Sequence, residues 1–229
     1  MENLYYSNII YLVSFLITLI AQIFVSSSYS RYKKILNSKD NTGYDTARKI
    51  LDKNNLKNVM ILETKGNLTD HYDPKRKVIK LSTDIYHGSS IASAAVAAHE
   101  CGHAIQDKNK YIPMRIRSAI VPFVNICTRL GYLAILIGLI FNRAPLLEAG
   151  IILLLAMLVF QLITLPVEFN ASKRALNELE KEKILNKEEK GNARNMLVAA
   201  AFTYVASVLS TLLQIFRLVL ISSSSDRRH

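Results

Sequence analysis

Four long apolar segments constrain the fold of this chain more than any other feature of its sequence. They are Ile9–Val25, Ala119–Phe141, Leu146–Leu165 and Met196–Ile221. The first has no charged residue and, slightly extended, is long enough to cross a bilayer as a helix. The second is the weakest candidate, because it contains Pro122, Asn125 and Arg129. The pattern predicts an integral membrane protein that crosses the bilayer several times.

Lysine and arginine are distributed unevenly, which predicts how the segments are oriented. Residues 31–117 contain 17 of them and residues 173–194 contain 7, whereas the loop around Arg143 has one. The first eight residues have none, and no A-x-A cleavage site follows the first segment, so we expect an uncleaved anchor. The positive-inside rule places the N-terminus outside and both basic stretches in the cytoplasm. A complete fourth span would put residues 227–228, both arginine, outside; either that tail is a tolerated exception or the last segment does not fully cross.

The composition argues against two other classes of protein. The net charge of +11 fits basic cytoplasmic loops that contact anionic lipid. Aromatic and basic residues are not interleaved as they are in nucleic-acid-binding surfaces, so no nucleic-acid partner is expected. Cys101 and Cys127 are too few for a disulfide framework and are expected to be free thiols.

The segments between the apolar ones predict a small α+β region. The expected elements are a helix over Thr42–Lys53, strands over Asn58–Thr64 and Val78–Ser82, and a helix from Ser89 or Ser90 to about Asp107. Thr42 is the expected cap of the first helix. The predicted fold class is therefore mainly α with a small β element (α+β), within a multi-pass membrane protein.

The last of these helices carries the sequence His99-Glu100-Cys101-Gly102-His103. Residues four apart on an α-helix are separated by about 40° and about 6 Å, so both histidines can reach one metal ion. Glu100 is placed to take a proton from a metal-polarised water. Small residues surround the motif and allow other elements to approach it closely: Ala94, Ala95, Ala97, Ala98 and Ala104. The pattern predicts a zinc peptidase site; the alternative is a helix whose two histidines face together by chance.

A catalytic zinc needs a third protein ligand, which has to come from elsewhere in the chain. The sixth residue after His103 is Asn109 rather than a third histidine, so a carboxylate is expected. Glu168 is the best candidate, because the hairpin before it returns it to the membrane face of the histidines. Three rivals lie in a Lys/Glu-rich stretch typical of a solvated helix face: Glu178, Glu180 and Glu182. Cys101 is about 200° round the helix from His99 and is not expected to bind the metal.

Five stretches together resemble the membrane-bound neutral zinc metallopeptidases of the YugP-like family, nearly from end to end. They are "LTDHYDP" (Leu68–Pro74), "VIKLSTDIYHGSSIASAAVAAHECGHAIQD" (Val78–Asp107), "RSAIVPFVN" (Arg117–Asn125), "LPVEFNASKRAL" (Leu165–Leu176) and "ARNMLVAAAFTYVA" (Ala193–Ala206). The resemblance implies a gluzincin-type site with His99, His103 and Glu168 on one zinc ion per chain. It also implies that Glu100 is catalytic.

The order of elements is similar to membrane gluzincins of the HtpX type, in which an edge strand binds the substrate backbone. By that analogy the substrate-binding edge strand consists of Val78, Ile79, Lys80, Leu81 and Ser82. Three residues are candidates for stabilising the oxyanion of the reaction: His71, Tyr72 and Tyr204. His71 has an alternative role in a turn, and Tyr204 in packing of the last segment. Asn170 is a candidate for supporting a ligand, with simple surface exposure as its alternative.

Arg129 lies near the middle of its apolar segment, where a lone charge is costly. We expect either that Arg129 pairs with Gln161 across a hairpin, or that Ala119–Arg129 lies outside the hydrocarbon.

These features predict an integral-membrane zinc endopeptidase with its site at the cytoplasmic surface. The expected parts are an N-terminal anchor (1–30), a cytoplasmic catalytic region (31–118), a transmembrane hairpin (119–165), a cytoplasmic helix with the third ligand (166–195) and a C-terminal membrane helix with its tail (196–229). The expected substrates are polypeptides, unfolded, damaged or membrane-tethered, and the expected surroundings are the lipid bilayer. The alternative is a non-proteolytic zinc-binding scaffold or transporter-like protein. Against it, a structural zinc normally has four protein ligands, and no cysteine here is placed to be the fourth.

Overall fold

The structure is a computed structural model that describes residues 2–226, with side chains described for residues 5–222. Within that range the elements are α1 (Glu2–Tyr32), α2 (Gly43–Lys53), β1 (Met60–Thr64), β2 (His71–Asp73), β3 (Val78–Ser82), α3 (Thr83–His87), α4 (Ile91–Lys108), α5 (Ile112–Ile140), α6 (Ala144–Lys181) and α7 (Lys187–Asp226). The fold is mostly helical with one small sheet, which confirms the predicted mainly α class with a small β element.

Four helices in the described part of the chain are long and apolar enough to cross a membrane: α1, α5, α6 and α7. Together they contain the four apolar segments seen in the sequence, except for Phe141 at the end of the second. Because α7 is one continuous helix, the last apolar segment is long enough to span a bilayer. The two arginines whose location conflicts with the positive-inside rule, residues 227–228, are not among the described residues.

The chain divides into two compact units. The span unit consists of Met1–Gln22, Ile116–Leu165 and Thr203–His229. The sheet unit consists of Ile23–Arg115 and Pro166–Phe202.

Within the span unit, α5 and α6 approach each other through two glycines. A Cβ on Gly150 would lie 2.9 Å from the carbonyl oxygen of Gly131, so Gly150 has no room for a side chain. In this antiparallel register Arg129 lies opposite Ile152, and Gln161 is about 13 Å further along α6. The predicted pairing of Arg129 with Gln161 is therefore wrong: Arg129 is exposed, and the side-chain oxygen of Gln161 is buried without a hydrogen-bond partner.

The sheet unit contains a three-stranded sheet in the order β1-β3-β2. β3 pairs with β1 in parallel and with β2 antiparallel. The prediction that β3 is an edge strand is therefore wrong. The residues concerned are Val78, Ile79, Lys80, Leu81 and Ser82. The segment between the two predicted strands supplies a third strand, β2, which covers the second side of β3 and is itself an edge.

Capping residues mark the beginnings of two helices in the sheet unit, α2 and α4. The side chain of Thr42 accepts a hydrogen bond from the backbone of Asp45, whose own side chain completes a capping box at the start of α2. Ser90 caps α4 by accepting from the backbone of Ser93. α4 packs against α2, α3 and β2. The common core includes Ile50, Leu51, Ile79, Leu81, Ile85, Ile91, Leu179 and Ile184, all fully buried.

Candidate metal centre

Three potential metal ligands converge in the sheet unit, two from α4 and one from α6. Nε2 of His99 lies 3.2 Å from Oε2 of Glu168, and Nε2 of His103 lies 3.5 Å from the same oxygen. One ligand atom from each residue lies within 4.8 Å of the others. The side chains of His103 and Glu168 are almost fully buried, at 9% and 3% exposure. The structure thus brings together the three residues that the sequence singled out as ligands.

A close approach of two helices delivers the carboxylate to the histidines. A Cβ on Gly102 would lie 2.5 Å from the carbonyl oxygen of Ala171, a distance that real side chains do not tolerate. Gly102 lies one residue before His103, and Ala171 lies three residues after Glu168 on α6. The absence of a side chain at Gly102 is therefore what lets α6 come near enough for Glu168 to reach the histidines.

Hydrogen bonds from a buried glutamine orient His103. Nε2 of Gln106 donates to the carbonyl oxygen of Val167 at 2.7 Å and to Oδ1 of Asn170 at 3.0 Å. Oε1 of Gln106 therefore faces Nδ1 of His103, at 3.0 Å, and accepts its proton. This assignment leaves the lone pair of Nε2 directed at Glu168. Asn170 contacts Gln106 and not His103 itself, so two hydrogen bonds link it to the ligand.

His99 has a comparable contact on its outer nitrogen. Oγ of Ser172 lies 3.2 Å from Nδ1 of His99. The sequence analysis did not identify Gln106 or Ser172 as site residues. The signal was their spacing: Gln106 follows His103 by three residues and Ser172 follows Glu168 by four, so each shares a helix face with a ligand.

Glu100 is buried beside the ligands, with 7% of the residue exposed. Burial raises the pKa of Glu100 to about 7, because the charged form loses its hydration. The carboxyl groups of Glu168 and Asp70 act in the same direction. His99 and a backbone hydrogen bond from Tyr72 oppose them. A buried carboxyl group with a pKa near neutrality is well suited to exchange protons.

The three oxyanion candidates lie on two different elements, β2 and α7. The hydroxyl of Tyr72 donates to Oδ2 of Asp107 at 2.8 Å, so it is already engaged near the end of α4. Burial and this contact raise the pKa of Tyr72. His71 is exposed, with Nδ1 2.8 Å from the carbonyl oxygen of Thr69. Tyr204 lies on α7.

The residues that the sequence analysis ranked below Glu168 have other contacts. Sγ of Cys101 lies 3.6 Å from the carbonyl oxygen of Ala47 on α2, and its thiol is buried away from the cluster. Glu178 accepts a hydrogen bond from Asn54 at 2.7 Å. Glu180 forms an ion pair with Lys190.

Comparison with known proteins identifies the family of this chain. Residues 7–223 match the model of a protein family described as "putative neutral zinc metallopeptidase". The chain is 43% identical over 201 residues to "putative membrane protease YugP" of Bacillus subtilis (strain 168), covering 88% of this chain and 89% of that protein. No solved structure matches the chain. The resemblance inferred from the motifs is confirmed, and the chain belongs to the neutral zinc metallopeptidase family that this model describes.

Proposed function

We propose that this protein is a membrane-embedded, zinc-dependent endopeptidase. Its metal ligands are His99, His103 and Glu168, the set found in gluzincins, and Glu100 in the H-E-x-x-H motif is its general base. The observation that carries the proposal is the convergence of two imidazole nitrogens and one carboxylate oxygen beside a second, buried carboxyl group.

The donor set fits zinc. Imidazole nitrogen and carboxylate oxygen are ordinary zinc ligands, and three protein ligands leave a fourth position for water or substrate, as in catalytic sites. The outer nitrogens of both imidazoles are engaged by Gln106 and Ser172, so both Nε2 atoms are available to a metal. When bound, zinc would polarise a water molecule and the scissile carbonyl group.

Glu100 then moves the proton. Its carboxylate takes a proton from the attacking water as the water oxygen bonds to the carbonyl carbon. It gives that proton to the amide nitrogen as the carbon–nitrogen bond breaks, which releases a neutral amine. Burial raises the pKa of the Glu100 carboxyl group above its ordinary value, which suits a group that first accepts a proton and then releases it.

The substrate side of the site is proposed to be β2 rather than β3. β2 is an edge of the sheet, and it packs against α4, the helix that carries Glu100. An extended polypeptide that pairs with this edge would pass beside the general base. Such pairing needs an extended chain, which favours unfolded, damaged or membrane-tethered proteins as substrates. His71, exposed on the same strand, remains the candidate for stabilising the oxyanion.

The site is proposed to face the cytoplasm. The first of the two most basic stretches, residues 31–117, contains His99 and His103. The second, residues 173–194, begins just after Glu168. Basic loops stay on the cytoplasmic side of a membrane.

Metal removal and restoration test the proposal against the scaffold alternative. The purified protein in detergent is stripped with a chelator, and cleavage of unfolded, fluorescently labelled casein is measured before and after one equivalent of zinc is added. An endopeptidase loses and regains cleavage with the metal. A scaffold would bind zinc without cleaving casein at any stage, and that result would contradict the proposal.

A further inference from the structure

A groove of about 310 Å³ lies in the sheet unit between the C-terminal end of α1 and the beginning of α7. The residues along it that bear on its chemistry are Phe24, Ser27, Ser28, Arg31, Asn195 and Val198. None of them belongs to the metal centre.

The lining of the groove changes from apolar to polar along its length. On α1 it runs from Phe24 through two serines to Arg31, and on α7 it runs in the opposite chain direction from Val198 to Asn195. Phe24 and Val198 are about half exposed, at 48% and 54%. The groove therefore has an apolar end and a polar, positively charged end.

Arg31 carries a charge that no carboxylate neutralises within the described part of the chain. Its guanidinium lies 5.7 Å from the centre of the Tyr32 ring. Tyr32 is itself buried, and its hydroxyl is 3.5 Å from the side-chain nitrogen of Asn195. The guanidinium is thus held at the mouth of the groove by an aromatic ring and keeps its hydrogen-bond donors for a ligand.

The sequence of α1 gives an approximate depth for the polar end of the groove in a bilayer. The apolar segment of α1 ends at Val25, and Arg31 follows six residues later, about 9 Å along the helix axis. The headgroup region on each side of the hydrocarbon core is about 5–8 Å thick. In a bilayer Arg31 would therefore lie at the outer boundary of the headgroup layer, within side-chain reach of phosphate groups, while Phe24 and Val198 would lie at the height of acyl chains.

We propose that this groove binds one anionic glycerophospholipid. Its phosphate takes hydrogen bonds from Arg31, Ser27 and Ser28, and one acyl chain lies along Phe24 and Val198. A planar guanidinium suits phosphate oxygens, because it donates two parallel, charge-assisted hydrogen bonds. A free phosphate ion would leave the apolar end of the groove uncovered, which is why the ligand is a lipid. The inference does not depend on peptidase activity.

Native mass spectrometry of the delipidated full-length protein in detergent tests this assignment. Phosphatidylglycerol and phosphatidylcholine are added in turn, and we expect one tight phosphatidylglycerol adduct, at least about fivefold tighter than phosphatidylcholine. Arg31→Gln weakens that adduct by about tenfold or more, the effect of losing charge-assisted hydrogen bonds. Val198→Trp fills the groove without changing the charge and weakens binding of both lipids.

Arg115→Gln is the matched control, because Arg115 is exposed near the beginning of α5 and does not line the groove. It is expected to bind phosphatidylglycerol as the wild type does. Wild-type binding by both Arg31→Gln and Val198→Trp would overturn the proposal. So would an equal loss in Arg115→Gln, which would indicate general attraction to basic residues. Displacement of the lipid by millimolar inorganic phosphate would assign the site to free phosphate and reject the lipid.

Discussion

Nε2 of His99 and Oε2 of Glu168 lie 3.2 Å apart, although 69 residues separate them in the sequence. The contact joins α4 to α6, and the same carboxylate oxygen lies 3.5 Å from Nε2 of His103. A single oxygen shared by two imidazole nitrogens is the arrangement expected of side chains gathered for one cation. The first predictions concern what holds these atoms together.

Glu168→Gln should remove the anionic ligand while keeping the size of the side chain. We expect the dissociation constant for zinc to rise by more than about 100-fold, beyond the usual cost of losing a supporting contact. Competition with a chromogenic zinc chelator measures it. Glu180→Gln is the matched control, because Glu180 is exposed on the same helix and pairs with Lys190. Unchanged zinc binding by Glu168→Gln would exclude Glu168 as a ligand.

Gly102→Ala should separate the two helices that carry the ligands. The new Cβ would meet the carbonyl oxygen of Ala171, a backbone atom that moves only if α6 moves. We expect a loss of about 1–3 kcal/mol in stability, seen as a lower thermal midpoint, together with weaker zinc binding. Gly191→Ala is the control on α7, where a Cβ meets nothing within 4 Å. It should leave zinc binding unchanged and stabilise the protein by about 0.5–1 kcal/mol. Equal behaviour of the two variants would contradict the packing argument.

Gln106→Leu should weaken zinc binding by about 10–100-fold, because His103 loses the acceptor that fixes its ring. Gln106→Glu keeps an acceptor for His103 but loses the donor to Val167 and Asn170, so its zinc binding should lie between those of wild type and Gln106→Leu. The same chelator competition measures all three proteins. A Gln106→Leu variant with wild-type affinity would show that His103 is oriented by other contacts.

Tyr72→Phe distinguishes a structural role from a catalytic one. The hydroxyl donates to Asp107, which also pairs with Lys77, so its removal should cost about 1 kcal/mol of stability. We expect kcat for casein cleavage to stay within about threefold of wild type. Loss of an oxyanion donor would instead lower kcat by about 100- to 1,000-fold. A decrease of that size in Tyr72→Phe would show that the Tyr72 hydroxyl group stabilises the oxyanion, which would contradict a purely structural role.

Local sequence signals predicted the elements that depend on local interactions. Thr42 and Ser90 identified the starts of α2 and α4, because capping involves residues within one turn. The four apolar segments identified the four long helices, since length and hydropathy decide that assignment. The alignment of His99 and His103 follows from helix geometry alone.

The missed features depend on contacts between distant parts of the chain. β2 has three residues in a turn-rich stretch and becomes a strand only through pairing with β3, so the edge of the sheet was assigned to the wrong strand. Arg129 was matched to Gln161 without knowledge of the register that Gly131 and Gly150 impose. Gln106 was missed because its role requires the backbone of Val167, 61 residues away.

The most direct test of the account compares the wild type with Glu100→Gln at equal bound zinc. Both purified proteins are given unfolded fluorescent casein, and the rate of cleavage is measured alongside zinc content per chain. The account predicts cleavage by the wild type and none by Glu100→Gln, because the variant keeps the metal ligands but cannot accept the proton. Equal cleavage by both proteins would contradict the assignment of Glu100 as the general base.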